Sequence, residues 1–239
     1  MESRVGAGFF YWAKWALNFA LAQEGSGRPR PIEIYDAHSW TPVERLPDAP
    51  EEPLARYSLS PDGRRAIAES MSGAVFLWAP AEHREIARLR DDASITATAF
   101  SPDQTLLAIA TESTISGNYW NSARIEVWET ETGKKKEDLR PDESRSEPNT
   151  GMKWLLWSPD GAWLLLGGAS GVNVFNVKTG RRRGQLLIDE RVIGMALLSG
   201  GNELAVGSAD RKIMFWDFKD LLKQIRKFEQ SVEGNEPAP

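Results

Sequence analysis

The sequence predicts an all-β molecule built from a repeated four-stranded unit, and three observations predict it. Short apolar runs recur at spacings of roughly forty residues and align with one another. In each repeat two runs are joined by a tight turn, as in Ser60-Pro61-Asp62-Gly63 and Ser158-Pro159-Asp160-Gly161. A third run ending in an aromatic follows each pair, and usually a fourth run after that. Four short strands in a repeat of about forty residues describe a β-propeller blade. One blade cannot bury both of its faces, so blades stack and bury them against each other. The chain therefore reads as a propeller of about five four-stranded blades, four of which carry the strand–turn–strand pattern with its aromatic-ended third strand, with a short C-terminal helix.

Composition is compatible with this and excludes other classes. The chain has 239 residues, 41% apolar and 26% charged, with 20 Gly and 14 Pro. That apolar content is too high for a disordered chain. There is no Cys, so there are no disulfides, thiolate metal sites or thiol nucleophiles. Only two His are present, His38 and His83, in different repeats. A net charge of −5 argues against a general nucleic-acid binder.

Taken in order, the first blade spans approximately residues 5–46. Gly8–Trp12 and Asn18–Ala22 read as its first two strands, Ile32–Asp36 and Val43–Leu46 as its last two. Residues 5–22 have a rival reading as a membrane anchor, because they are mostly apolar and near the length of a span. Lys14 and Asn18 lie inside that stretch, and a central Lys costs about 2.5 kcal/mol or more. No strongly basic leader and no small-residue cleavage pattern precedes it. The strand reading is favoured, a membrane location disfavoured, and a cytoplasmic one expected.

The second to fifth blades span approximately 54–90, 95–140, 152–187 and 192–228. In the turns Pro presets φ, Asp bonds its own backbone, and Gly accepts a positive φ. The turn at 101–104 has Gln104 in the Gly position, and the fifth blade uses Ser199-Gly200-Gly201-Asn202. The third strands end at Trp78, Trp128, Phe175 and Trp216, predicted to pack between neighbouring blades. After Asp217 the period changes. Phe218, Leu221, Leu222, Ile225 and Phe228 fall at helical spacing, so a short amphipathic helix replaces or follows the last outer strand. It either shields the propeller's own edge or docks a partner. Residues 229–239 are polar with two Pro and read as a disordered tail.

At these residues the chain resembles the WD-repeat β-propeller family. Phe215-Trp216-Asp217 matches the dipeptide that names the family, whereas Trp78-Ala79, Trp128-Glu129 and Phe175-Asn176 keep the aromatic and lose the Asp. The family's Gly-His dipeptide is absent from every repeat, so the network that His anchors is not carried over. Asp210 matches the family's turn Asp between second and third strands and reads as structural. The resemblance implies a non-catalytic platform for protein partners.

Two long connections point to where partners bind. Glu112 to Ala123 contains Asn118-Tyr119-Trp120-Asn121, and Arg140 to Gly151 belongs to the same blade and the same end. Long loops on a rigid scaffold carry function, and Tyr and Trp are enriched in binding hot spots. Asn118, Tyr119, Trp120 and Asn121 are therefore the candidate partner-binding residues, with Trp40 a weaker one. Fold-back of Trp120 onto its own blade is the structural alternative. The family's topology also sorts an acidic end (Asp48, Glu51, Asp91, Asp189, Glu190) from a basic one (Arg64, Lys134, Lys135, Lys178, Arg181). No phosphate-cradling loop, nucleophile elbow or calcium motif appears. No cofactor or metal is expected, and a site at the central channel is the weaker alternative. The oligomeric expectation is a monomer, or a dimer through open propeller edges.

Overall fold

A computed structural model describes residues 9–12, 18–22, 33–36, 39, 41–45, 54–82, 84–91, 95–113, 122–139, 153–169, 171–188 and 190–233. It divides into two compact units, the first holding residues 1–94 and 129–134, the second residues 95–128 and 135–239.

The first unit contains two sheets. One joins β1 (Phe9–Trp12), β2 (Asn18–Ala22), β3 (Glu33–Asp36) and β4 (Pro42–Arg45) in sequence order. The other joins β5 (Leu54–Leu59), β6 (Ala66–Ser70), β7 (Val75–Ala79) and β8 (Arg84–Arg90), again in order. All these pairings are antiparallel. Residues 9–12 and 18–22 thus pair as strands, Tyr11 opposite Ala20. In the second sheet Tyr57, Leu59, Ala66 and Ala68 make a buried cluster with Trp78 packed against it. Small residues on β6 leave room for the large ring opposite, since Ala66 pairs directly with Trp78.

The second unit contains three sheets and a helix. Strands β9 (Ile95–Phe100), β10 (Leu106–Ser113), β11 (Ser122–Glu129) and β12 (Lys135–Leu139) form one sheet. Strands β13 (Trp154–Trp157), β14 (Trp163–Gly168), β15 (Gly171–Asn176) and β16 (Arg181–Leu187) form the next. The last has three strands, β17 (Val192–Leu198), β18 (Glu203–Ser208) and β19 (Ile213–Asp217), followed at once by helix α1 (Phe218–Glu233). This is the all-β, blade-like architecture the repeats predict. Among the described residues the helix replaces a fourth strand in the last sheet, and it runs to Glu233, past the expected start of the tail at 229.

Two cores join these sheets face to face. In the first, Ile125, Val127, Ala108 and Ala110 meet Leu164, Leu166, Trp157 and Phe175 of the following sheet. Trp157 Nε1 also donates to the Ala99 carbonyl, 2.9 Å away. In the second core Val172, Val174 and Leu165 meet Leu204 and Val206, with Met195, Met214 and Trp216 alongside. Helix α1 adds Phe218, Leu221 and Ile225 to this core. A glycine makes the helix contact possible: a Cβ on Gly184 of β16 would lie 2.8 Å from Ile225 Cγ1.

The helix begins where it does because Asp217 caps it. The Asp217 carboxylate accepts from the Asp220 N–H at 2.9 Å, and the Phe218 N–H reaches the Asn202 carbonyl at 2.8 Å. Two otherwise orphaned donors of the first turn are thereby satisfied.

The tight turns share a device centred on a buried serine. Ser60 Oγ donates to Asp62 Oδ1 at 2.6 Å and accepts from the Arg65 N–H at 2.9 Å. Ser101 repeats this with Asp103 (2.6 Å) and Leu106 (2.9 Å). Ser158 does the same with Asp160 and with Trp163 (2.9 Å). Each serine is buried, so its hydroxyl must be satisfied within the protein. The third residue after each serine needs a positive φ, which is 71° at Gly63 and 68° at Gly161. At 101–106 Gln104 adopts it at 63°, without glycine's freedom.

Candidate functional site

The candidate partner-binding residues Asn118, Tyr119, Trp120 and Asn121 lie outside the described residues, as do Trp40, His38, His83 and the connection at 140–152. What the structure describes is the frame that carries them. Strand β10 leads into the first long connection and β11 leaves it. Strand β12 leads into the second and β13 leaves it. In an antiparallel meander these connections leave the sheet at one end, opposite the tight turn at 101–106. The frame is firm at its base, with Thr111, Ile125 and Leu139 buried.

Trp154 opens β13 directly after the second long connection, and it is 38% exposed. The sequence analysis did not single it out. Leu155 and Trp157 face the first core and Leu156 packs against the second, while Trp154, the first residue of the strand, stays exposed. Ile193 and Ile213 are also exposed, near the start of β17 and at the start of β19. In the first unit Met71 is exposed at the β6–β7 turn, the corresponding end of its own sheet.

The residues read as structural fall as follows. Phe175 is fully buried in the first core of the second unit, and Trp216 packs against the second core. Trp78 packs on the Tyr57 cluster of its own sheet, and Trp128 is half-buried. Asp210 sits in the turn between β18 and β19, where it accepts from Ser208 Oγ and from Lys212 Nζ at 2.6 Å. The Lys212 ammonium and then the Ser208 hydroxyl hold its carboxyl at a pKa of about 2, below the ordinary 3.8. Ser208 shares with the other turns the bond from its hydroxyl to the Asp two residues on, but here the Lys212 N–H bonds Asp210 rather than the serine, with Arg211 at φ 70°.

A buried polar seam between third and fourth strands was not legible in the sequence. On β11 Glu126 is almost wholly buried, with Lys135 Nζ 3.5 Å from its carboxylate. Asp138 stands opposite Glu126 across the strands, 3.8 Å from Arg124 and 3.9 Å from Lys135. On β15 the matching position is Asn173, buried, which accepts from Arg182 at 3.1 Å. Lys135 and Arg182 hold the same register, opposite Trp128 and Phe175. Each basic side chain covers a polar residue of the neighbouring strand, an arrangement suited to structure.

The expected sorting of charge by sheet end is not clean among the described residues. Asp103, Glu137 and Asp160 stand at the same end as Lys135, Lys178 and Arg181, while Arg191, Arg211 and Lys212 stand at the other. Also among the described residues, no group of three or more His, Cys, Asp or Glu could hold a metal ion, and no helix is long and apolar enough to cross a membrane. The latter says nothing of strands.

Comparison with known proteins agrees with this architecture. The profile of the family described as "WD domain, G-beta repeat" matches residues 186–217, which cover the last three-stranded sheet. The chain is similar to the small ribosomal subunit protein RACK1z of Arabidopsis thaliana, 30% identical over 132 residues, 50% of this chain and 37% of that protein. It is also similar to the small ribosomal subunit protein RACK1 of Schizosaccharomyces pombe, 31% identical over 119 residues, 48% of this chain and 34% of that protein. The chain thus spans little more than a third of the length of the relatives it matches. The repeated four-stranded sheets, the Trp216-Asp217 ending of the matched segment and these relatives together support a WD-repeat family for this chain.

Proposed function

We propose that this chain is a non-catalytic protein-interaction scaffold that takes its partner at the sheet end carrying the connections 112–123 and 140–151. Trp154 is the observation that supports this reading. A large aromatic held at the edge of a firm sheet, beside two long connections, is the kind of anchor that partner binding uses. In the proposal Tyr119 and Trp120 supply the rest of the apolar contact, and Asn118 and Asn121 its polar rim. The relatives carry the name of small ribosomal subunit proteins, so the small ribosomal subunit is the first partner to try. A cytoplasmic location belongs to the same proposal.

The test is co-sedimentation of the purified chain with small ribosomal subunits, comparing wild type with Tyr119→Ala/Trp120→Ala and with Trp154→Ala. The proposal expects binding by wild type, its loss in the double variant, a weaker complex with Trp154→Ala, and equal melting temperatures. Binding that survives the double variant would move the site elsewhere.

A further inference from the structure

Two successive sheets share one hairpin between their third and fourth strands. The turn into β12 reads Thr132-Gly133-Lys134-Lys135-Lys136, and the turn into β16 reads Thr179-Gly180-Arg181-Arg182-Arg183. In each a glycine at φ 66° passes the chain directly into three bases. Each outer strand then carries a β-bulge. Lys135 stands opposite Trp128 and Glu137 opposite Val127, which leaves Lys136 as the extra residue. Arg182 stands opposite Phe175 and Gly184 opposite Val174, which leaves Arg183. A bulge re-aims the side chain it carries. In the β7–β8 pair of the first unit the matching extra residue is Ile86, so the fold itself does not require a base there.

The bases divide into two groups. Lys135 and Arg182 cover the buried polar seam, Lys135 towards Glu126 and Asp138, Arg182 towards Asn173. Lys136, Lys178 and Arg181 are exposed, and Arg183 is half-buried. The second hairpin adjoins β12: a Cβ on Gly180 would lie 3.6 Å from Glu137 Oε2 and 3.8 Å from Leu139 Cδ2. Over residues 135–139 and 178–187 six bases stand against two carboxylates, Glu137 and Asp138. Asp138 already has Arg124 at 3.8 Å and Lys135 at 3.9 Å. The chain as a whole carries a net charge of −5, so this positive surface is a local feature.

We infer that β12, the turn at 178–181 and β16 form a site for the sugar–phosphate backbone of a nucleic acid. The make-up of the surface chooses this partner. The large apolar side chains exposed among the described residues are Met71, Trp154, Ile193, Leu198, Ile213 and Phe215, and none lies on these elements. A protein interface has an apolar or aromatic core inside its polar rim, and adsorption to a membrane draws on buried apolar area as well as charge. A phosphate backbone needs neither, because the gain comes from counterions released as cations neutralise phosphates. The arginines suit it further, since a planar guanidinium gives a phosphate two parallel hydrogen bonds. Contacts of this kind position a strand without selecting its sequence. The inference goes beyond the protein-scaffold reading and uses different elements of the fold.

Fluorescence anisotropy of a labelled oligouridine, titrated with the full chain at salt from about 50 to 200 mM, tests it. Wild type is expected to bind at the low end, with log K falling against log salt by about 0.7 for each phosphate contacted and about 2 or more in all. Lys178→Glu/Arg181→Glu is expected to weaken binding about tenfold and flatten that slope, and Lys136→Glu to do the same by a smaller factor, both at the wild-type melting temperature. Arg84→Glu, an exposed base of the first unit, is expected to change neither. If one variant of the site fails to fold, the other decides. Absence of binding at low salt overturns the proposal, as does full binding by a folded variant of the site or an equal loss in Arg84→Glu. Equal binding of polyglutamate would report an acidic protein as the partner, and of phosphatidylserine vesicles a membrane, and either overturns it. No ribosomal subunit takes part and Tyr119, Trp120 and Trp154 are untouched, so failure here leaves the proposed partner site standing.

Discussion

At the scale of single residues, the turns depend on a hydroxyl whose importance the amino-acid pattern alone understates. Pro, Asp and Gly announce a turn because they restrict or free the backbone. The serine announces nothing, yet it is the buried member whose bonds tie both flanking strands. Ser158→Ala leaves the Trp163 N–H without its partner and is expected to cost about 1–3 kcal/mol, read as a lower urea midpoint. Gln104 is the converse case. A positive φ costs an L-residue about 1–2 kcal/mol, which glycine avoids at an entropic cost of roughly 0.5–1 kcal/mol. Gln104→Gly is therefore expected to raise the midpoint slightly. Asp210 adds a pH dependence. Its folded pKa of about 2 lies below the ordinary 3.8, so its stabilising effect is complete above the ordinary value and is lost as pH falls towards 2. Asp210→Asn should be less stable than wild type near neutrality, and the difference should close between about pH 4 and pH 2. A gap that stays constant across that window would exclude the linkage.

At the scale of elements, strand order was legible because periodicity and turn chemistry agreed in the repeats from residue 54 onward. Residues 9–12 and 18–22 were legible as strands despite their apolar length, since Lys14 and Asn18 interrupt the stretch and weigh against a membrane span. The end of the last sheet was legible only in part. Helical spacing marked Phe218, Leu221 and Ile225, but nothing in the pattern distinguished addition of a helix from replacement of a strand. Three-dimensional neighbours decide it, above all Gly184, whose missing side chain admits Ile225. Two substitutions probe this element separately. Asp217→Ala removes the cap and is expected to cost about 0.5–2 kcal/mol. Ile225→Ala opens a cavity in the core and is expected to cost about 2–4 kcal/mol, the larger drop in thermal midpoint. If the two costs were reversed, capping rather than packing would hold the helix. Asp217 also shows how a family motif is reused: the residue that completes the dipeptide here starts a helix. The buried Glu126 and Asn173 were illegible for a different reason, because alternation with Ile125/Val127 and Val172/Val174 predicts exposed polar residues there and the covering bases lie on another strand.

At the scale of the molecule, the candidate partner site was legible only as loop length and aromatic content, which mark a place on the chain and not a geometry. Trp154 was hidden because its sequence neighbours Leu155, Leu156 and Trp157 all pack against cores, and only its place at the start of the strand leaves it exposed. The strand assignment of residues 9–22 makes a prediction at this scale. Deleting residues 1–22 removes β1 and β2, half of a four-stranded sheet, and should yield an aggregating chain on size-exclusion chromatography. A clean, folded product would show that this segment is dispensable to the rest.

Every sheet described above is made of strands adjacent in sequence, and this has a consequence for synthesis. No strand waits for a distant segment, so each sheet is able to close soon after its roughly forty residues leave the ribosome. The nascent chain then always ends in one finished sheet whose outer face awaits the next. Chaperones that shield apolar surface would meet the same kind of face at each stage, the face of Ile213 and Phe215 among them.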